Sequence, residues 1–112
     1  MQLHVFHNIA LDIMAQENRP VRVGELYSLM KRKYPEIKYT KQQLRKYLLD
    51  ASHYIRDVKH HRLLFIKTHH FSFTYDGLEP YQIARYKTPI NKYIQEKLFS
   101  ESEIDTNNFD WG

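Results

Sequence analysis

Residues 40–58 read TKQQLRKYLLDASHYIRDV, and the fold turns on how this stretch is read. Thr40 followed three residues later by Gln43 is a capping-box pair: the Thr hydroxyl can accept from the amide of Gln43, and the Gln43 side chain can reach back to the amide of Thr40. Leu44, Leu48, Ala51, Ile55 and Val58 then recur at spacings of four, three, four and three, one face of a 3.6-residue helix. The spacing predicts a helix from Thr40 to Val58. At about 100° per residue, its opposite face carries Gln42, Arg45, Lys46, Leu49, His53 and Arg56. That face is made mostly of long donors with no carboxylate at its centre. Such a helix can pack on a core with one side and offer cations and an amide with the other, which suits a nucleic-acid groove. It equally fits the solvated face of an ordinary amphipathic helix.

The charge around this helix favours the first reading. Residues 1–18 carry −2, residues 19–67 carry +9, and residues 68–112 carry −3, for a net charge of +4. Positive charge is therefore concentrated in the middle of the chain, which suggests a polyanionic partner for that region. The length, 112 residues, fits one domain with a modest core. The absence of cysteine excludes a disulfide scaffold, thiolate zinc sites and a Cys nucleophile, and fits a reducing compartment. No apolar run approaches the roughly 18 residues of a membrane span, and no signal peptide is visible. A cytoplasmic protein is expected.

Upstream, Gln2 to Asn18 reads as a helix with Leu3, Phe6, Ala10 and Ile13 on one face and Ile9 and Met14 beside it. Asn18-Arg19-Pro20 ends it, because the residue before Pro is pushed out of the α region. Pro20 to Gly24 is a short β-like segment. A second helix follows from Gly24 or Glu25 to Tyr34, with Leu26, Leu29 and Met30 inward. Glu25 at its start and Lys31-Arg32-Lys33 at its end match the helix dipole. Ile37 is the expected apolar plug of the connector. Downstream, Leu63-Leu64-Phe65-Ile66 has strand length, and Phe71-Ser72-Phe73-Thr74-Tyr75 alternates as a half-buried strand. The two form an antiparallel hairpin whose link, Lys67 to His70, lacks the Gly of a tight turn and predicts a longer tip. Asp76-Gly77 closes the second strand. Leu78 to Tyr86 is less clear, with a short helix starting at Pro80 one option. Thr88-Pro89 reads as the start of a helix running to about residue 99. Residues 100–112 form an acidic, flexible tail.

Helix, short strand, helix, turn, basic helix and hairpin, in that order, resemble the winged helix-turn-helix superfamily over residues 2–75. The resemblance rests on PVRVGELYSLMKRKYP, YTKQQLRKYLLDASHYI and RLLFIKTHHFSFTY. It implies an α+β, mainly α fold: a single winged-helix domain over 1–99 with an added C-terminal helix at about 88–99. It also implies DNA binding, with Gln42, Arg45, Lys46, Leu49 and His53 of the third helix facing the major groove, where Arg can pair with guanine and Gln with adenine. Arg22, Lys38, Lys41 and Lys31 to Lys33 become candidate phosphate contacts, and Arg56 belongs to the same basic face. Lys59, Arg62, Lys67, His69 and His70 would bring the wing to the backbone or the minor groove. The wing lacks the superfamily's usual Gly-rich tip. The third helix pattern is also longer than usual, which suggests a break near Ser52.

Other chemistry finds little support. The pairs His60-His61 and His69-His70 are adjacent and in extended chain point to opposite faces, so they do not chelate. His4 and His7 lack further ligands. There is no paired-carboxylate spacing, no Gly-rich phosphate loop and no nucleophile elbow. No enzyme, metal or cofactor is expected. Ile90, Tyr93, Ile94 and Leu98 form an apolar stripe that either covers the first helix or builds a two-fold homodimer interface. The expected function is a small dimeric DNA-binding regulator of transcription or replication, with duplex favoured over single strand. Two alternatives stay open. One is a non-catalytic interaction module, an inhibitor or adaptor, whose basic face meets an acidic protein. The other is a single-strand binder using exposed Tyr rings.

Overall fold

The computed structural model describes residues 3–54 and 62–111, with side chains described for residues 4–52 and 62–97. The fold is α+β and mainly helical. Its elements are α1 (Leu3–Glu17), β1 (Val21–Arg22), α2 (Val23–Lys33), α3 (Lys41–Ala51), β2 (His53–Tyr54), β3 (Leu63–Lys67), β4 (His70–Phe73) and α4 (Pro80–Trp111).

Helix α1 ends where Asn18 enters the left-handed region, φ 55°, and its amide donates to Met14 O at 3.1 Å. Asn tolerates that conformation better than most residues and closes helices for this reason. The inward residues of α1 are Val5, Ile9, Ala10, Leu11, Ile13 and Met14, a wider stripe than the sequence indicates, with Phe6 half-buried at its edge. Against it α2 sets Val23, Leu26 and Met30, and α3 sets Leu44 and Leu48, both fully buried. Burying a Leu side chain of this kind contributes about 1.5–3 kcal/mol. Ile37 is buried between the helices, as its place in the connector suggests, and Tyr34 and Tyr39 on either side are buried with it.

Three strands pair antiparallel and a fourth joins their edge, in the order β1-β4-β3-β2. Val21 faces Phe71 and Arg22 faces His70 between β1 and β4. The β3–β4 hairpin pairs Leu63 with Phe73 and Lys67 with His70, with a register shift between Phe65 and Lys67. Val21, Leu63, Phe71 and Phe73 turn into the helical core. The tip is therefore tight, with only Thr68 and His69 between the strands. His69 takes φ 61° and performs the turn a Gly would normally make. The longer tip expected from the missing Gly does not form, because His is among the residues that tolerate this region.

Two boundaries differ from the sequence reading. The helical pattern running to Val58 stops at Ala51, at the break near Ser52 that its length suggests: Ser52 is extended, φ −101° and ψ 164°, and His53 and Tyr54 pair in parallel with Leu64 and Phe65. Ser competes with the helical backbone for hydrogen bonds, and the neighbouring strand supplies the alternative. His53 thus belongs to a strand and not to the exposed face of α3. Ile55, Arg56, Val58 and Lys59 lie outside the described residues. The C-terminal helix begins at Pro80, the earlier of the two starts the sequence offers, runs on through Thr88-Pro89 and continues through the segment expected to be a flexible tail. Glu79 precedes Pro80, and its amide donates to Gln82 Oε1 at 2.8 Å, which caps the helix about two turns before the sequence signal at Thr88-Pro89. Pro89 sits inside α4 although an interior Pro costs about 3 kcal/mol. Tyr86, against Phe73 and Tyr75, and buried Ile90 hold the helix to the core on both sides of it.

Candidate functional site

The capping box at the start of α3 forms in both directions. The Gln43 amide donates to Thr40 Oγ1 at 3.1 Å, and the Thr40 amide donates to Gln43 Oε1 at 2.8 Å. This fixes where α3 begins and therefore which residues face out. Leu44 and Leu48 go into the core, while Lys41, Gln42, Arg45, Lys46 and Leu49 are exposed. Leu49, 43% exposed, is an apolar group in an otherwise polar face.

The face has two flanks. On one, Lys41 and Arg45 line a cleft of about 620 Å³ with Arg22, Val23, Gly24, Glu25 and His69. Four elements build it: β1, the start of α2, α3 and the hairpin tip. The tip is held there by a backbone bond from Val23 N–H to His69 O at 2.9 Å. Lys41 lies over Gly24, with its Nζ 3.3 Å from where a Cβ would stand. Glu25 is the cleft's acidic group. The hydrogen bond from the Arg19 guanidinium is the largest influence on its carboxyl and, with the charges of Arg19 and His70, keeps it below the usual carboxylate range against the opposing effect of burial.

On the other flank Lys46 borders a groove with His7, Tyr39, Gln43, Tyr47 and Asp50. The His7 ring stacks on Tyr47, centroids 3.6 Å apart and nearly parallel, and its Nε2 is 3.0 Å from the Tyr39 hydroxyl. The Tyr39 hydroxyl donates to Gln43 O at 3.0 Å, so its oxygen accepts and His7 Nε2 carries a proton. Burial, then the nearby His4, lowers the pKa of His7. Burial pushes the Tyr39 hydroxyl up to about 12.

Of the residues singled out in the sequence, the structure gathers Arg22, Lys41, Arg45 and His69 into the cleft, with Gln42 and Leu49 exposed on the same helix. Lys38 and Lys67 are exposed outside it. His70 pairs with Arg22 across the sheet, its Nδ1 2.8 Å from Thr68 O. Arg62 is not with them. Its guanidinium donates to Asp76 O and lies against Gly77, bracing the turn after β4. Arg62 borders a different groove, with Tyr47, Ala51 and Tyr86. Lys31 donates to Ile37 O, and Arg32 and Lys33 border a groove against α1. Gly24 and Glu25 were not among the sequence candidates, although they directly follow Arg22 in the chain.

The C-terminal stripe is partly spent inside the chain. Ile90 is buried in the core and so is not offered as an interface residue. The Tyr93 hydroxyl donates to Glu36, which also pairs with Lys97 at 3.0 Å, and the Tyr93 ring packs on Tyr34. That hydrogen bond is the main reason the Glu36 pKa is lowered. Ile94 is half-buried against the core, and the Leu98 side chain is outside the described set. Among the described residues no group of three His, Cys, Asp or Glu side chains could hold a metal ion, and no helix is long and apolar enough to cross a membrane. Comparison of the chain with protein-family models, with curated proteins and with solved structures returns no match.

Proposed function

We propose that this chain is a winged helix-turn-helix protein that binds duplex DNA without catalysing a reaction, as a small regulator of transcription or replication. In this reading α1, α2 and α3 are the three helices, α3 enters the major groove, and the β3–β4 hairpin is a short wing. The observation that carries it is the gathering of Arg22, Lys41, Arg45 and His69 from separate elements beside the outer face of α3. Cations placed this way can neutralise the backbone while Gln42 meets a base edge. Two-fold self-association belongs to the proposal. With Ile90 and Tyr93 engaged inside the chain, the contact falls to Ile94 and the part of α4 that follows it.

The double variant Arg45→Glu, Lys46→Glu tests the docking. It should abolish binding of a random duplex at low salt and leave the helical circular dichroism unchanged, since both side chains are exposed. Unchanged binding would refute it. Exposed Leu49 supports a second reading, in which this face meets an acidic protein, because an apolar group among cations suits a protein surface. Tight binding to a protein partner with no affinity for DNA at low salt would favour that reading.

A further inference from the structure

We infer that the cleft between β1, the start of α2, α3 and the hairpin tip seats one phosphate group of a nucleic-acid backbone, and that Glu25 sets its affinity from within. The inference rests on the nucleic-acid reading and narrows it to one site. The cleft is concave, about 620 Å³, large enough for a phosphate group and its nearest waters. Arg22 reaches it from β1, Lys41 and Arg45 reach it from α3, and His69 is carried there by a backbone bond that fixes the tip against α2. Among the described residues none of the three cations lies in an ion pair, in contrast to Arg19, which holds Glu17 and Glu25. Gly24 forms the floor under Lys41, and a side chain there would crowd the ammonium group. A strand lying between α3 in one groove and the hairpin tip beside it passes over this cleft. That makes an internal phosphodiester the source of the phosphate.

Glu25 gives the site a signature that a general basic surface lacks. Its carboxylate opposes an incoming anion while Arg19 partly neutralises it. Removing the carboxylate should tighten the seat, and removing a cation should loosen it.

The test is titration of the full chain, followed by amide NMR, with two probes: inorganic phosphate, and a random duplex lacking terminal phosphates. Phosphate should shift the amides of Gly24, Glu25, Lys41 and His69 saturably, and the duplex should shift the same set. Lys41→Gln should weaken phosphate binding about tenfold, the loss of one charge-assisted hydrogen bond. Glu25→Gln should strengthen it about threefold, as expected for one like charge removed at a solvated site. Lys92→Gln on α4 should change nothing. The opposite signs of the Lys41 and Glu25 variants separate this mechanism from loss of fold. No saturable shift with phosphate, or shifts indifferent to both variants, would overturn the seat. Duplex binding that leaves the cleft amides undisturbed would also overturn it, while leaving the DNA reading intact. Phosphate binding in the cleft with no duplex binding would overturn the backbone as the source, and the DNA reading with it.

Discussion

His69 makes the hairpin turn in a conformation that strains a side chain, and its carbonyl pins the tip to α2. A non-Gly residue there carries about 1–2 kcal/mol of backbone strain. His69→Gly should therefore keep the fold and leave stability unchanged or raised by up to about 1 kcal/mol, since Gly also adds unfolded-state entropy. Chemical denaturation measures this, and a loss greater than 1 kcal/mol would show that the imidazole itself supports the tip. His7 gives the chain a pH dependence of a defined sign. Its pKa is lowered in the folded state below the ordinary 6.5, so the unfolded chain binds more protons in that range. Stability is fully present above about 6.5 and falls as the pH drops through the lowered value. His7→Gln should flatten that fall in thermal melts between pH 7 and 5, and an unchanged slope would remove His7 as its source. Neither residue's role was legible in the sequence. A positive φ at His69 follows from the register of two strands, and the stacking of His7 on Tyr47 joins residues forty positions apart in the chain.

At the scale of elements, local rules worked where they acted alone. Thr40 and Gln43 announce the start of α3, and the capping box forms as its spacing indicates. Thr40→Ala should cost about 0.5–2 kcal/mol by removing the hydroxyl that accepts from Gln43. A cost near zero in denaturant titration would mean that packing of Leu44 and Leu48 alone fixes the helix start. The rules failed where a neighbour offered something better. The periodic pattern after Ala51 is helical on paper, but Ser52 ends α3 and His53 and Tyr54 pair with β3. Thr88-Pro89 has the chemistry of a helix start, yet Glu79 and Gln82 begin the helix first, and the packing of Tyr86 and Ile90 carries it across the proline. Both errors have one physical origin: contacts distant in sequence override a local propensity of about 1–3 kcal/mol.

Across the whole molecule, most apolar side chains are buried and most charges are exposed, with Leu49 and Tyr81 the large apolar groups left at the described surface. The inner faces of α1, α2, α3 and the sheet share one core, and α4 packs along α1 and is tied to the connector through Glu36, Tyr93 and Lys97. Among the described residues, the basic stretch of the sequence does not become one continuous surface. Arg22, Lys41 and Arg45 converge, while Lys31, Arg32, Lys33 and Arg62 are turned to other grooves or to backbone carbonyls. Composition showed that positive charge lies in the middle of the chain, but only the packing shows how few of those charges meet. That small number sets the expected salt dependence of binding. Among the described residues, Arg22, Lys38, Lys41, Arg45 and Lys46 are the exposed cations on or beside the α3 face. Five phosphate contacts at about 0.9 counterion each give a log–log salt slope of about −4.5, or roughly 500-fold weaker binding at about 200 mM than at about 50 mM salt. The decisive measurement is fluorescence anisotropy of a random duplex and a random single strand at these two salt concentrations. Duplex binding should be tighter than single-strand binding, with a fall of that order. Absence of binding to either at the lower salt, or an affinity that salt leaves unchanged, would contradict it.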